Sequence, residues 1–196
     1  YIRMQTERMR ILVDEMMTLT KMEHSSATAT AERFNLSSAV ETMALPFESQ
    51  AFEQQKKFEI DIQPELYFQG NPEQVRRMIG ILIDNAFKYS AEHGAIRVSL
   101  KEETSGRAVL EVYNTGKGIR EDEKEKIFER FYRSDSSRAR ATGGYGLGLS
   151  IAKSVADAHK MKIEVNSEPE HWITFTVWFP AQKKLPEKEK NQNHAK

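Results

Sequence analysis

Residues 143–150 read Gly-Gly-Tyr-Gly-Leu-Gly-Leu-Ser, and an apolar run with helical spacing grows out of them at Leu147, Leu149, Ile151, Ala152, Val155 and Ala156. Glycine has no Cβ, so the backbone can approach a ligand closely and adopt positive φ. A helix that starts directly after such a loop points its unpaired N–H groups and positive dipole end back at the loop. The stretch is therefore either a flexible helix start or an anion cradle, most often one for phosphate. Arg130, Arg133, Arg138 and Arg140 stand against the single acid Asp135 just upstream, so the approach is cationic. Two familiar phosphate loops do not fit. No Gly-Lys-Ser/Thr ending follows, and a dinucleotide fingerprint would follow a strand rather than the polar run 134–142.

Composition narrows the partners. At 196 residues the chain is long enough for one packed domain and an appendage. Its 29 acidic and 29 basic residues cancel, which removes any whole-chain electrostatic case for nucleic acid or an anionic membrane. With no cysteine there is neither a disulfide framework nor a thiolate zinc site. No run approaches the roughly 20 apolar residues of a membrane span. The chain opens on Tyr1, so we expect a piece of a longer protein, with any membrane anchor upstream.

Residues 1–24 predict a helix, because Ile2, Met9 and Met16, and Gln5, Leu12 and Leu19, recur every seven positions. We expect this coiled-coil-like helix to pack in a bundle or dimer. Small polar residues make 25–31 a linker, and a short strand is expected at 33–36. A helix over 38–55 follows, with Ser37 as N-cap and Pro46 as a kink. Phe58, Ile60 and Ile62 alternate with acids as a strand, and Pro64 and Gly70 punctuate a connection. Asn71-Pro72-Glu73 is a strong helix start, carrying a core stripe of Val75, Met78, Ile79, Leu82 and Ala86 to about Tyr89. Ile81, Asn85 and Lys88 share an adjacent face.

Residues 95–100 and 107–113 alternate as a hairpin. The second strand runs into Asn114-Thr115-Gly116-Lys117-Gly118-Ile119, an ordinary turn or a site of close backbone approach. A short acidic helix over 121–127 leads to Phe128-Glu129-Arg130-Phe131-Tyr132-Arg133. After the glycine loop and its helix, strands at 162–166 and 172–179 close the domain, and 182–196 reads as a disordered tail.

Taken in order, Asn85…Lys88-Tyr89, Asn114-x-Gly-x-Gly, Phe128…Phe131 and Gly-x-Gly-Leu-Gly resemble the four boxes of the catalytic, ATP-binding domain of sensor histidine kinases, within the GHKL ATPases. Leu19-Thr20-Lys21-Met22-Glu23 is similar to the end of that family's second dimerisation helix. The resemblance implies an α/β (α+β) two-layer sandwich of the Bergerat type, with a mixed, mainly antiparallel sheet packed on helices. It divides the chain into the end of a dimerisation helix (1–24), a linker (25–31), an ATP-binding kinase domain (32–181) and the tail (182–196).

ATP and Mg²⁺ are the implied ligands. Asn85 would give Mg²⁺ an oxygen, Lys88 would face the phosphates, and Tyr89 would lie by the nucleotide. Asn114 would meet the adenine amino group, with Gly116 and Gly118 letting the purine in beside Ile119. Gly144, Gly146, Leu147 and Gly148 would serve the phosphates, with Phe131 and Arg133 at the edge of a lid over 133–145. The implied partners are a second copy, through the first helix, and a response-regulator receiver domain. Nucleic acid is not among them, and membrane contact would come only through segments outside this chain. The implied setting is a cytoplasmic domain of a membrane-anchored protein.

Three departures stand out. The adenine position is usually aspartate and here is Asn114. Ile81 replaces a second asparagine one turn before Asn85. Residues 159–161 and 169–172 lack glycines common in the family's last two connections. None of His24, His93, His159, His171 or His194 has the context of the phosphorylated histidine, so this chain is expected to bind ATP without phosphorylating itself at the usual site. Two other readings share the same residues. One is a degenerate module acting by protein contact, and the other is a serine kinase of the anti-sigma type, against which the heptad helix argues.

Overall fold

The structure is a computed structural model that describes residues 31–133 and 145–181, together with Thr6, Arg10, Val13, Met16 and Met17. Those five isolated residues are helical and exposed, within the expected first helix. The rest of that helix, the linker before Ala31, the bulk of the lid and the tail lie outside the described residues.

Alternation builds the sheet. β2 (Lys57–Ile62), β4 (Ala95–Glu102), β5 (Ala108–Thr115), β6 (Lys162–Glu168) and β7 (Trp172–Trp178) form five strands in the order β2-β4-β5-β7-β6. β2 and β4 are parallel, and every other pair is antiparallel. Ile96, Val98 and Leu100 on β4, Leu110 and Val112 on β5, and Ile173, Phe175 and Val177 on β7 are all buried. The opposite face carries Arg97, Glu111, Tyr113, Thr174 and Thr176, none of them buried, as expected of a sheet covered on one side only.

Helices cover the apolar face. The long α3 (Pro72–Tyr89) packs on α4 (Gly148–Ala158) and on α1 (Leu36–Ala44). Asn71 caps α3 as expected, its Oδ1 accepting from Gln74 N at 3.0 Å, with Pro72 at the first helical position. Such a cap contributes about 1 kcal/mol. The expected stripe of Val75, Met78, Ile79, Leu82 and Ala86 is wholly buried.

Four local expectations need correction. The helix expected over 38–55 is two helices, α1 and α2 (Phe47–Glu53): Leu45 still donates to Glu41 O at 2.9 Å, but Pro46 has no N–H with which to continue the ladder. Its cap is Asn35, whose Oδ1 accepts from Ser38 N at 2.9 Å, and not Ser37. Ser37 is buried instead, donating to Gln63 O at 2.6 Å and accepting from Leu66 N at 3.0 Å. The connection ending at Gly70 contains a strand, β3 (Tyr67–Gly70), which pairs antiparallel with β1 (Glu32–Asn35). The helix expected over 121–127 is two short 3-10 turns, Glu121–Glu123 and Lys126–Phe128.

Candidate functional site

Asn114 occupies the last inward-facing position of β5, in a row otherwise filled by Ala108, Leu110 and Val112. Its neighbours across the sheet are Ile96 and Ile173, both buried. An amide in an apolar row needs partners, since an unbonded buried polar atom costs about 1–3 kcal/mol. Nδ2 finds one, donating to Thr115 O at 3.2 Å, but Oδ1 is buried with no partner. Asn114 is 1% exposed, so its free oxygen is an acceptor held ready inside the domain.

Four tight approaches join this asparagine to the other expected residues. A Cβ built on Gly116 would lie 3.4 Å from Asn114 Nδ2 and 2.4 Å from Tyr89 O, so β5 runs directly against the end of α3. Ser90 and Gly116 form an isolated antiparallel bridge there. On α3, Asn85 Nδ2 donates back to Ile81 O at 2.9 Å, which turns its Oδ1 away from the helix backbone. Across from it, a Cβ on Gly148 would meet Ile81 Cγ2 at 3.3 Å and Asn85 Nδ2 at 3.9 Å. Finally, Gly146 has φ of 74° and its carbonyl accepts from Phe131 N at 2.9 Å. Gly116 and Gly148 thus bring two of the other motifs against α3, and Phe131 joins the glycine loop through Gly146.

The glycines do partly different work from what the resemblance implied. At Gly116 and Gly118 the close contact is with the chain's own backbone. Gly118 has φ of 67°, and a Cβ there would lie 2.5 Å from Glu168 O. Ile119 is half-buried on the core, its N–H donating to Ser167 Oγ at 2.8 Å. Leu147 is buried in the core, leaving only its backbone for a ligand. As N-cap of α4 it offers no side-chain acceptor, so no side chain caps the first turn of that helix. Tyr89 and Phe131 are exposed, and Arg133 is half-buried. Gly144 lies outside the described residues. Ile81 packs against the core and the start of α4, one turn from Asn85.

Several residues here had escaped the sequence reading. Asp84 holds Lys88 in an ion pair at 2.5 Å, a pairing the i,i+4 spacing would have signalled. Lys56 Nζ donates to the carbonyls of Ser90 (3.3 Å) and Ala91 (3.1 Å) and to Ser90 Oγ, closing the C-terminal end of α3. Partial burial pulls this ammonium below its ordinary pKa, while the negative end of the helix favours its charge. Glu123 is buried, paired with Arg120 Nε at 3.3 Å, and accepts from Tyr132 OH at 3.0 Å. No sequence signal marks Lys56 or Glu123. A cleft of about 670 Å³ opens on the far side of Gly116, lined by residues 89–92, 115–117, 170 and 171, and includes neither Asn85 nor Asn114.

The profile of the histidine kinase-, DNA gyrase B- and HSP90-like ATPases matches residues 70–183, more than half of the chain. The chain belongs to that family. Its sensor histidine kinase branch is where the similar proteins fall. The sensor protein DltS of Streptococcus agalactiae serotype V is 30% identical over 164 residues, covering 84% of this chain and 41% of DltS. Full-length ShkA solved with AMPPNP superposes with a TM-score of 0.80 at 19% identity, over 94% of this chain and 38% of ShkA. Histidine kinase ThkA in complex with the response regulator TrrA gives 0.64 at 21% identity, over 88% and 50% of the two chains. This chain therefore carries the domain shared by those ATPases, and the proteins similar to it are sensor histidine kinases. The chain spans about two fifths of the length of relatives such as DltS. Among its described residues no helix is long and apolar enough to cross a membrane.

Proposed function

We propose that this domain binds Mg·ATP between α3, the end of β5 and the start of α4, and that in the longer protein it delivers the γ-phosphoryl group to a histidine on a first dimerisation helix. The observation that carries this reading is the buried, unpartnered Oδ1 of Asn114, an acceptor suited to the exocyclic amino group of adenine. Tyr89 and Ile119 flank the base. Lys88, released from Asp84, faces the phosphates. The uncapped first turn of α4, with Gly144, Gly146, Leu147 and Gly148, supplies backbone N–H groups to them. Phe131 and Arg133 stand at the root of the lid.

The residues present also suit Mg²⁺. Asn85 has its amide nitrogen engaged and its oxygen left over, and oxygen is what this hard cation takes. The described residues hold no cluster of three acids or histidines, so nucleotide oxygens and water complete the shell. Bound there, Mg²⁺ neutralises charge on the β- and γ-phosphates, while the chain itself positions the nucleotide and excludes water, the main requirements of phosphoryl transfer.

In the longer protein the phosphoryl group passes on to an aspartate of a response-regulator receiver domain, a reading supported by the ThkA–TrrA complex. Residues 1–24 serve as the end of the dimerisation helix of a homodimer, and the domain works in the cytoplasm below a membrane anchor. Calorimetric titration with AMPPNP, with and without Mg²⁺, tests the binding. Saturable binding strengthened by Mg²⁺ is expected, and no binding at millimolar nucleotide rejects the reading. Phosphate transferred to a supplied dimerisation segment is expected to be acid-labile phosphohistidine, and acid-stable phosphoserine would overturn that assignment.

A further inference from the structure

The two helices at the phosphate end of the site, α3 and α4, meet again at their far ends, where one buried side chain joins them. His159 stands at the C-cap of α4 and is 8% exposed. Its Nδ1 lies 2.9 Å from Val155 O, inside its own helix, and its Nε2 accepts from Asn71 N at 3.0 Å. A backbone N–H can only donate, so Nε2 is the bare nitrogen and Nδ1 carries the proton. Asn71 is the N-cap of α3. The ring packs 6.1 Å from Phe68, and Gly70 makes way for it: a Cβ there would lie 2.7 Å from His159 Cδ2.

The helices thus run antiparallel, pinned at one end by Asn71 and His159 and meeting at the other through Ile81, Asn85 and Gly148. About 20 Å of α3 separates the two ends, at a rise of roughly 1.5 Å per residue. Apolar side chains between them interdigitate and resist separation, and the directional hydrogen bond at His159 adds a fixed axial reference at this end. A helix is stiff along its axis, so any slide permitted at His159 arrives undiminished at Gly148. Displacements near 1 Å at a reacting centre can cost about a hundredfold.

We propose that His159 is a positioning residue for the nucleotide site, setting the axial register of α4 on α3 and so the distance between the glycine loop and Asn85. This rests on the ATP-binding reading above. It also explains which part of the ligand is affected. The phosphate end depends on the α3–α4 register, whereas Asn114 is carried by β5 and does not.

The test compares Mg·AMPPNP, by calorimetry, with adenosine, by chemical-shift titration, on the 196-residue chain. His159→Phe keeps the ring volume and loses the acceptor, and His159→Gln restores an acceptor near the position of Nε2. The Phe variant, folded by circular dichroism at the assay temperature, is expected to lose about five- to twenty-fold in Mg·AMPPNP affinity, the scale of one weakened hydrogen bond to phosphate. Its adenosine affinity should stay within about twofold, and the Gln variant should recover most of the loss. Unchanged Mg·AMPPNP affinity, or an equal loss for both ligands, would overturn the proposal. If the Phe variant does not fold, His159→Asn, which is too short to reach Asn71, must show the same split or the proposal fails. A wild-type chain that binds neither ligand instead rejects the ATP-binding reading, before any variant is considered.

Discussion

Gly148 faces Ile81 so closely that a β-carbon on the glycine would sit 3.3 Å from Ile81 Cγ2. This contact holds the start of α4 against the helix that carries Asn85. Alanine at 148 gains helix propensity, about 1 kcal/mol, and meets that methyl group. We expect Gly148→Ala to leave the thermal midpoint nearly unchanged while weakening Mg·AMPPNP binding several-fold, to about the extent that overpacking displaces a backbone. Adding Ile81→Ala should recover affinity. A single variant that binds like wild type would show that the contact does not set the loop.

Asn114→Asp puts a carboxylate in an apolar row, where its second oxygen meets Thr115 O in place of the present amide donor. The unliganded domain should lose about 1–3 kcal/mol. The adenine amino group would then pair with a charged acceptor, so affinity should rise about five- to ten-fold. Calorimetry together with melts in the absence of nucleotide checks both halves, and an affinity equal to or below wild type would reject the assignment of Asn114 to adenine.

Asp84 holds Lys88 in an ion pair, so on the proposed reading a phosphate would have to compete with it. The pair is partly exposed and so contributes at most about 1 kcal/mol, which bounds the effect of releasing it to roughly fivefold. Titration of Asp84→Asn with the ATP analogue should show affinity two- to five-fold higher, about the range that bound allows. A decrease would mean that Asp84 itself serves the ligand.

Lys160 and Glu170 have φ of 56° and 66°, and both fall in connections where the family commonly uses glycine. The left-handed region costs an L-residue roughly 1–2 kcal/mol, partly offset by the greater unfolded-state freedom of glycine. Lys160→Gly should therefore stabilise the domain by about 0.5–1 kcal/mol, read as a higher thermal midpoint with unchanged nucleotide affinity. A lower midpoint would show that the lysine side chain contributes more than its backbone costs.

Tyr132 loses its proton less readily than an ordinary tyrosine, first through partial burial and then through its hydrogen bond to Glu123. A raised folded-state pKa means that this contribution is complete below the unfolded value, near pH 10, and is lost as pH climbs through the folded one. The midpoint of the wild type should fall more steeply above about pH 10 than that of Tyr132→Phe. Parallel pH profiles would contradict the link between these two residues.

Much of this was legible along the chain because it depends on neighbours in sequence. The Asn71 cap, the core stripe of α3, the alternation of β4 and β5, and the order of the four motifs are local patterns, and each appears where the residues place it. What only the tertiary structure decided depends on partners brought from far away. β3 has four residues and no periodic signal of its own, and it exists because β1 pairs with it. Ser37 reads as a cap, yet Gln63 and Leu66 claim it. The glycines at 116 and 118 read as room for a purine, and only the fold shows that a Cβ at either would also strike Tyr89 O or Glu168 O. Asn114 was legible as a polar residue at a strand end. That its oxygen lacks a partner follows from burial between Ile96 and Ile173, since hydrogen-bond satisfaction belongs to the folded surroundings and not to the residue.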